Sequence, residues 1–151
     1  MLKRFLRVTD LPSSASAALL VLRVVTGIAF IFHGWGKIQA PFSWMGPTAP
    51  VPGFLQALAA LSEVGGGLAW ILGLLTPLAS LGIAATMAVA VATHLMRGDP
   101  FFAMGASSYE VAAVYLSISL VLLLVGPGRF SADAAIFGTK EPTLVARSRA
   151  V

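Results

Sequence analysis

Four long apolar segments dominate this sequence, and each of them ends at a group of turn-forming residues. They cover about residues 17–37, 54–75, 78–96 and 107–125. The groups that end them are Pro41, Thr76–Pro77, Gly98–Asp99–Pro100 and Gly126–Pro127–Gly128. A helix that rises ~1.5 Å per residue needs about 20 apolar residues to cross a hydrocarbon core ~30 Å thick. The sequence therefore predicts an all-α fold, an integral membrane bundle of four transmembrane helices.

Composition supports a membrane protein and excludes several kinds of chemistry. Hydrophobic residues make up 58% of the chain and charged residues 11%, whereas soluble domains have about 45–50% and about 25%. The absence of cysteine excludes disulfides, thiolate nucleophiles and cysteine-ligated zinc or iron–sulfur clusters. The ten Lys and Arg residues form no dense run, so the expected partner is the lipid bilayer and not nucleic acid. No metal site is assigned.

The distribution of Lys and Arg predicts the orientation of the chain. The first apolar segment follows a basic start, as in a signal peptide, but the small residues SASA precede it and Arg23 interrupts it, so we expect an uncleaved helix. Four crossings place both termini on one side. Seven basic residues belong to that side: Lys3, Arg4, Arg7, Arg129, Lys140, Arg147 and Arg149. Only Lys37 and Arg97 belong to the other, so both termini are expected in the cytoplasm.

The remaining segments are assigned from their composition. Residues 1–16 are expected to form a cytoplasmic N-terminal segment, and residues 127–138 a short interfacial helix with Ser131 as its N-cap and Gly138 at its end. Residues 139–151 are expected to form a flexible cytoplasmic tail. The outer loop, residues 38–53, is rich in proline and aromatic residues, and Phe42, Trp44 and Phe54 there are either interfacial anchors or parts of a lid.

Four polar residues are expected to meet near the outer surface of the bundle. With alternating helix directions, His33, Lys37, His94 and Glu110 come to one level from three helices. Ionisable groups at membrane depth require a partner or a function. We expect these four to bind the polar head group of a lipophilic ligand such as a quinone, with imidazole exchanging protons. The alternatives are histidines that only hydrogen-bond to carbonyl groups, or a haem ligated by both histidines.

Two further charges lie deeper. Helical spacing places Arg23 and Glu63 about 21 Å and about 14 Å below the outer ends of their helices, within reach of long side chains. We expect a buried charge pair that fixes helix register; the alternative is a proton-exchanging Glu63. Arg23 shares one polar or small face of the first helix with Gly27, Phe30, His33, Gly34 and Lys37.

The order of these residues resembles the DoxX family of small four-helix bacterial inner-membrane proteins. The resemblance covers about residues 18–138. It rests on Arg23, the HGWGK run from His33, the EVGGG run from Glu63, His94, Glu110 and the closing GPGRFSAD with Arg129, Ser131 and Asp133. It implies a four-helix bundle with a redox association, because named relatives are small subunits of thiosulfate:quinone oxidoreductase and partners in oxidant detoxification. A sulfur-oxidising activity is not transferred, since the chain has no cysteine.

The function expected from the sequence is that of a DoxX-like inner-membrane protein. It would bind a quinone or a similar lipophilic ligand and support a redox or oxidative-stress partner protein, or act as a homo-oligomer; catalysis by this chain alone is not assigned. One alternative is a small proton-coupled permease, which the intramembrane charges permit although the chain lacks an obvious inverted repeat. The other is a non-catalytic structural subunit of a membrane complex.

Overall fold

The computed structural model describes residues 6–140, and within that range the chain is mostly helical. Four long helices, one short helix and two short strands follow one another along the chain. They are β1 (Val8–Thr9), α1 (Ser13–Gln39), α2 (Gly53–Leu72), α3 (Thr76–Arg97), α4 (Glu110–Val125), α5 (Ala132–Phe137) and β2 (Thr139–Lys140). The tail residues 141–151 and the basic residues Lys3, Arg4, Arg147 and Arg149 lie outside the described residues.

Three of the helices are long and apolar enough to cross a membrane. They are α1, α2 and α3, which confirms three of the four segments as candidate spans. The fourth apolar helix, α4, has 16 residues and begins three residues later than the sequence predicts. Residues 107–109 belong instead to the preceding loop, where the amides of Tyr109 and Glu110 donate to the carbonyls of Pro100 and Phe101.

Glycines set the register between α1 and α2. A Cβ atom on Gly27 would lie 2.6 Å from the carbonyl oxygen of Gly67, and one on Gly34 would lie 2.7 Å from Cγ2 of Val64. Real Cβ atoms do not approach so closely, so the two backbones contact each other directly, as small residues allow in membrane helices. Most of the predicted polar or small face of α1 is buried, namely Arg23, Gly27, Phe30 and Gly34, whereas His33 is exposed and Lys37 half-buried. The opposite face of α1, with Val21, Val25, Ile28 and Phe32, is exposed.

The apolar core lies where α1, α2, α3 and α4 meet. Its buried members are Leu19, Phe30, Trp70, Ile83, Met87 and Leu122. The rings of Phe30 and Trp70 pack edge to face with centroids 5.5 Å apart, a geometry that suits the aromatic quadrupole. The indole nitrogen of Trp70 donates to Ser80 Oγ at 3.0 Å, so this large side chain is buried with its polar atom satisfied.

The beginning and the end of the described chain lie side by side. Strands β1 and β2 are parallel, with Val8 opposite Thr139, and the amide of Val8 donates to the carbonyl of Gly138. The first two residues of the segment that the sequence assigns to the tail, 139 and 140, therefore pair with the N-terminal segment. We call this end of the bundle the terminal end.

The predicted cap of the short helix is confirmed. The side chain of Ser131 accepts a hydrogen bond from the amide of Ala134 at 3.2 Å. Gly138 follows the last turn with a φ of 74°, a conformation that L side chains rarely adopt. Helix α5 therefore occupies residues 132–137, inside the segment that the sequence assigned to an interfacial helix.

Candidate functional site

The buried arginine of α1 does not pair with Glu63. Arg23 donates from Nη1 to the carbonyl of Trp70 at 2.8 Å and from Nη2 to the carbonyl of Phe130 at 2.6 Å. The first acceptor lies in the last turn of α2, where carbonyls lack partners within the helix. Arg23 therefore joins α2 to the segment that precedes α5.

The predicted Arg23 and Glu63 pair is wrong because the two residues lie at different levels of the bundle. Gly34 packs directly against Glu63, and Arg23 is eleven residues before Gly34, which is about 16 Å along a helix. The sequence estimate measured depth from the apparent outer ends of the two helices, whereas glycine contacts fix the actual register. Glu63 instead accepts from Lys37 Nζ at 2.6 Å.

The closing GPGRFSAD segment performs a structural task at the terminal end. The two carboxylate oxygens of Asp133 accept hydrogen bonds from the amides of Leu75 and Thr76 at 2.7 and 2.8 Å. These amides begin α3, so Asp133 acts as an N-cap supplied from elsewhere in the chain. Leu75 has a φ of 49°, and this left-handed conformation of a non-glycine residue is held by the carboxylate.

Arg129 and Ser131 reinforce the same end. The amide of Arg129 donates to Ser16 Oγ at 3.2 Å, and its guanidinium lies 3.5 Å from the carboxylate of Asp10. The hydroxyl of Ser131 donates to the carbonyl of Gly128 at 2.7 Å. The three motif residues therefore tie α5 to the start of α1 and the start of α3, and none of them faces the cavity described next.

A cavity of about 210 Å³ lies at the opposite end of the bundle, between α1, α2, α3 and α4. We call this the cavity end. The residues that line the cavity are Phe30, His33, Lys37, Glu63, Met87, Ala90, His94, Ser108, Val111, Ala112 and Tyr115. The structure thus brings together three of the four predicted ligand-binding residues, His33, Lys37 and His94. Glu110 does not line the cavity, although its neighbour Val111 does.

The cavity has aromatic walls and a charged floor. Tyr115 packs on Phe30 with ring centroids 4.7 Å apart and lies 6.0 Å from the ring of His33. The side chain of Glu63 is 1% exposed, and its atom Oε2 has no hydrogen-bond partner within residues 6–140. A buried carboxylate oxygen without a donor is costly, which makes this atom a natural contact for a bound molecule.

Asp99 contacts a residue of the candidate site and was not among the residues predicted from the sequence. Its Oδ2 atom lies 2.7 Å from His94 Nδ1 and accepts from the hydroxyl of Ser107 at 3.0 Å. Helix α3 ends at Gly98 with a φ of 75°, and the amide of Asp99 then bonds back to the carbonyl of His94 at 3.0 Å. The order of His94, Gly98 and Asp99 in the sequence is typical of such a helix end. The turn places the carboxylate of Asp99 beside the imidazole of His94. The contact with His94 holds the pKa of Asp99 below its usual range.

The loop between α1 and α2 folds over the charged pair. Lys37 Nζ lies 4.7 Å from the centroid of the Trp44 ring, a cation–π contact, and Trp44 Nε1 donates to the carbonyl of Gln56 at 3.0 Å. The Gln56 side chain accepts from the amide of Met45 at 3.0 Å and donates to the carbonyl of Val51 at 2.9 Å. Trp44 therefore covers the pair like a lid, whereas Phe42 and Phe54 are exposed as interfacial anchors are.

The size of the cavity limits what it can hold. An apolar cavity of about 150 Å³ accommodates benzene, so this one, at about 210 Å³, has room for a single substituted six-membered ring. Within residues 6–140, no three histidine, aspartate or glutamate side chains are grouped as metal ligands. The polar side chains that line the cavity are thus hydrogen-bonding groups: two imidazoles, an ammonium group, a carboxylate and two hydroxyls.

Comparison with known proteins identifies relatives in bacterial membranes. The DoxX family model matches residues 18–96. The chain is 39% identical over 124 residues to "Inner membrane protein YqjF" of Escherichia coli, covering 76% of this chain and 88% of that protein. It is 30% identical over 125 residues to "Putative oxidoreductase CatD" of Bacillus subtilis, covering 81% and 89%.

An uncharacterized protein of Haemophilus influenzae is 31% identical over 119 residues, covering 77% of this chain and 88% of that protein. No solved structure matches the chain. The family model spans more than half of the chain, and each of these three relatives is matched over nearly its whole length. With its apolar helices, the chain is therefore a multi-pass protein of the bacterial inner membrane, and it belongs to the DoxX family.

Proposed function

We propose that the cavity binds the ring of a lipophilic ligand of the quinone class, in support of a redox partner protein. The observation that carries this proposal is the convergence of His33, Lys37, Glu63 and His94 on one cavity of about 210 Å³ between apolar helices. Lipid alone requires no such cluster, and ionisable groups at membrane depth are costly to insert.

The shape of the cavity suits an amphipathic molecule. Its volume fits one six-membered ring, and Phe30 and Tyr115 supply aromatic walls on which such a ring can stack. Both His33 and Val111 line it and are exposed on the bundle surface. An isoprenoid tail is thus able to leave the cavity between helices, while the ring stays inside.

The polar groups suit proton exchange with the ring oxygens. Imidazole titrates near neutral pH in general, and His94 is oriented by Asp99 in the way a base is oriented by a carboxylate. The chain has no cysteine to hold an iron–sulfur cluster, so the electrons would pass to or from a partner protein. The name of the relative CatD, which describes an oxidoreductase, supports a redox role.

Ligand binding can be tested with decylubiquinone as the probe. The protein purified in mild detergent should quench its tryptophan fluorescence on titration, because Trp44 and Trp70 lie beside residues of the cavity. We expect His94→Ala to weaken binding about tenfold or more. Glu110→Gln is the matched control, since Glu110 does not line the cavity, and should bind as the parent does. Absence of binding by the parent would reject the proposal and favour a structural subunit.

We also propose that α4 crosses the membrane as a fourth span and that both termini face the cytoplasm. The pairing of β1 with β2 supports an even number of crossings, because it brings residues near both termini together. The excess of Lys and Arg on that side supports the orientation. Single cysteines at Ser43 and Thr139 should differ in intact cells, with only the first reacting with an impermeant maleimide. Equal reactivity would overturn the orientation.

A further inference from the structure

The hydrogen-bonding state of His94 is set by its neighbours. Asp99 Oδ2 contacts Nδ1 at 2.7 Å and also accepts from Ser107. An ionised carboxylate only accepts hydrogen bonds, and the contact that lowers the pKa of Asp99 keeps it ionised. In the neutral imidazole, Nδ1 must therefore carry the proton. Atom Nε2 is then an acceptor, and His94 lines the cavity.

A second acceptor belongs to α2. Glu63 Oε1 is taken by Lys37 at 2.6 Å, while Oε2 is buried and receives no hydrogen bond from residues 6–140. Glu63 on α2 and His94 on α3, each of which carries one such acceptor, both line the cavity.

The other polar residues that line the cavity are Lys37, Ser108, Tyr115 and His33, and none of them donates to Glu63 Oε2. The ammonium group of Lys37 is held between the carboxylate of Glu63 and the ring of Trp44. The hydroxyl of Tyr115 is able to donate or accept. His33 contacts the rings of Phe30 and Tyr115, and nothing in the described range fixes its tautomer.

We infer that the cavity prefers the reduced, dihydroxy form of its ligand, a quinol, over the corresponding quinone. The hydroxyl groups of a quinol donate to His94 Nε2 and Glu63 Oε2, whereas the carbonyls of a quinone only accept and leave both atoms without donors. Asp99 is a positioning residue, because it selects the tautomer of His94 without lining the cavity. This inference rests on the proposed function and concerns binding alone.

The test compares three probes of nearly equal shape. Decylubiquinol, decylubiquinone and the dimethyl ether of decylubiquinol are titrated anaerobically into the full chain in detergent at about pH 8, above the reference pKa of histidine in model peptides. We expect the quinol to bind about tenfold or more tightly than either other probe, since each of those loses two hydrogen bonds. Equal affinities, or tighter binding of the quinone, would overturn the inference while leaving the proposed function standing. Failure of all three to bind would reject the proposed function itself.

Two variants of Asp99 isolate its role. An asparagine amide either donates or accepts, so Asp99→Asn no longer imposes the tautomer, and the preference for quinol should fall towards equality. Asp99→Glu keeps a carboxylate and should restore most of the preference. If Asp99→Asn weakens all probes by the same factor, the residue acts only on structure and its assigned role is wrong.

A spectroscopic measurement tests the tautomer directly. In protein labelled with ¹⁵N-histidine, the signals of His94 can be assigned by their loss in His94→Ala. We expect a protonated Nδ1 and an unprotonated Nε2 at the same pH. A protonated Nε2 would overturn the inference whatever the binding data show.

Discussion

The two ends of the bundle use buried charge differently. At the terminal end, both oxygens of Asp133 and both terminal nitrogens of Arg23 are hydrogen-bonded to backbone groups. At the cavity end, Glu63 uses one oxygen and leaves the other without a donor. Arg23 Nε and Thr76 Oγ1 also have no partner within residues 6–140, but neither residue lines the cavity. Glu63 does line it, and its unsatisfied oxygen costs stability until a ligand binds. The contrast separates the residues that hold the bundle together from those available for function.

The largest effect should come from the terminal end. Asp133→Ala removes the carboxylate that caps α3 and leaves the amides of Leu75 and Thr76 without acceptors, which we expect to lower the free energy of unfolding by about 3–5 kcal/mol. Asp133→Asn keeps one acceptor oxygen and should lose less. Thermal unfolding in detergent measures both. An unchanged midpoint of thermal unfolding for Asp133→Ala would mean that this carboxylate does not stabilise the terminal end.

The next effect tests the charge pair at the cavity end. Lys37→Met leaves Glu63 buried without its partner, and we expect a loss of about 2 kcal/mol, reduced because Glu63 is able to take up a proton. In a double-mutant cycle, Lys37→Met and Glu63→Gln should couple by about 1–2 kcal/mol. Arg23→Leu and Glu63→Gln should be additive within about 0.5 kcal/mol. Coupling in the second cycle would restore the pair that the sequence suggested.

That mistaken pair shows which information the sequence lacks. Helix positions follow from hydrophobic length and turn residues, and the cap at Ser131 follows from its place before α5, so these features were predictable. The relative height of two helices depends on which glycines contact each other, and several glycines in the second apolar segment are equivalent by composition. The packing of the two helices determines that Gly27 contacts Gly67. The partner of Glu63 therefore required three-dimensional information.

Packing at those glycines gives an intermediate effect. Gly27→Ala places a methyl group 2.6 Å from the carbonyl oxygen of Gly67 and should cost about 1–3 kcal/mol of unfolding free energy. Gly36 is the matched control in the same helix, because a Cβ there meets nothing within 4 Å. Gly36→Ala should be neutral or stabilising by up to about 1 kcal/mol. Equal losses at both positions would show that α1 and α2 are not in direct backbone contact.

The candidate site was only partly predictable for a similar reason. His33, Lys37 and His94 were found because ionisable residues are rare in apolar segments. Asp99 was read as part of the turn that ends the third segment, since carboxylates are ordinary in loops. Its contact with His94 depends on the left-handed backbone of Gly98, which directs the chain back towards the last turn of α3. Glu110 is predicted to bind the ligand only from its expected depth in the bundle, and depth does not determine the direction in which a side chain faces.

The smallest effect is a titration. Because the pKa of Asp99 is lowered in the folded protein, its contact with His94 stabilises the fold above the ordinary aspartate pKa of about 3.9 and is lost as the pH falls through the lower folded value. Carbon-13 NMR of the carboxyl group should therefore show a midpoint below about 3.9. In His94→Ala the midpoint should rise, since the largest cause of the shift is removed. A midpoint that does not change in this variant would contradict the contact.

The wide separation in sequence between the partners at the terminal end has a consequence for biogenesis. Arg23 donates to the carbonyl of Phe130, which is synthesised 107 residues later. The amides at the start of α3 precede their acceptor, the carboxylate of Asp133, by 57 or 58 residues. While the ribosome is still adding α4, the first three helices can enter the bilayer and Arg23 can already donate to the carbonyl of Trp70. Its Nη2 atom and the two amides still lack their acceptors. Completion of the bundle is therefore a late event of synthesis. A chain released before residue 130 would insert its first helices but would lack the groups that join them at the terminal end. Such an incompletely folded chain would be a substrate for membrane proteases.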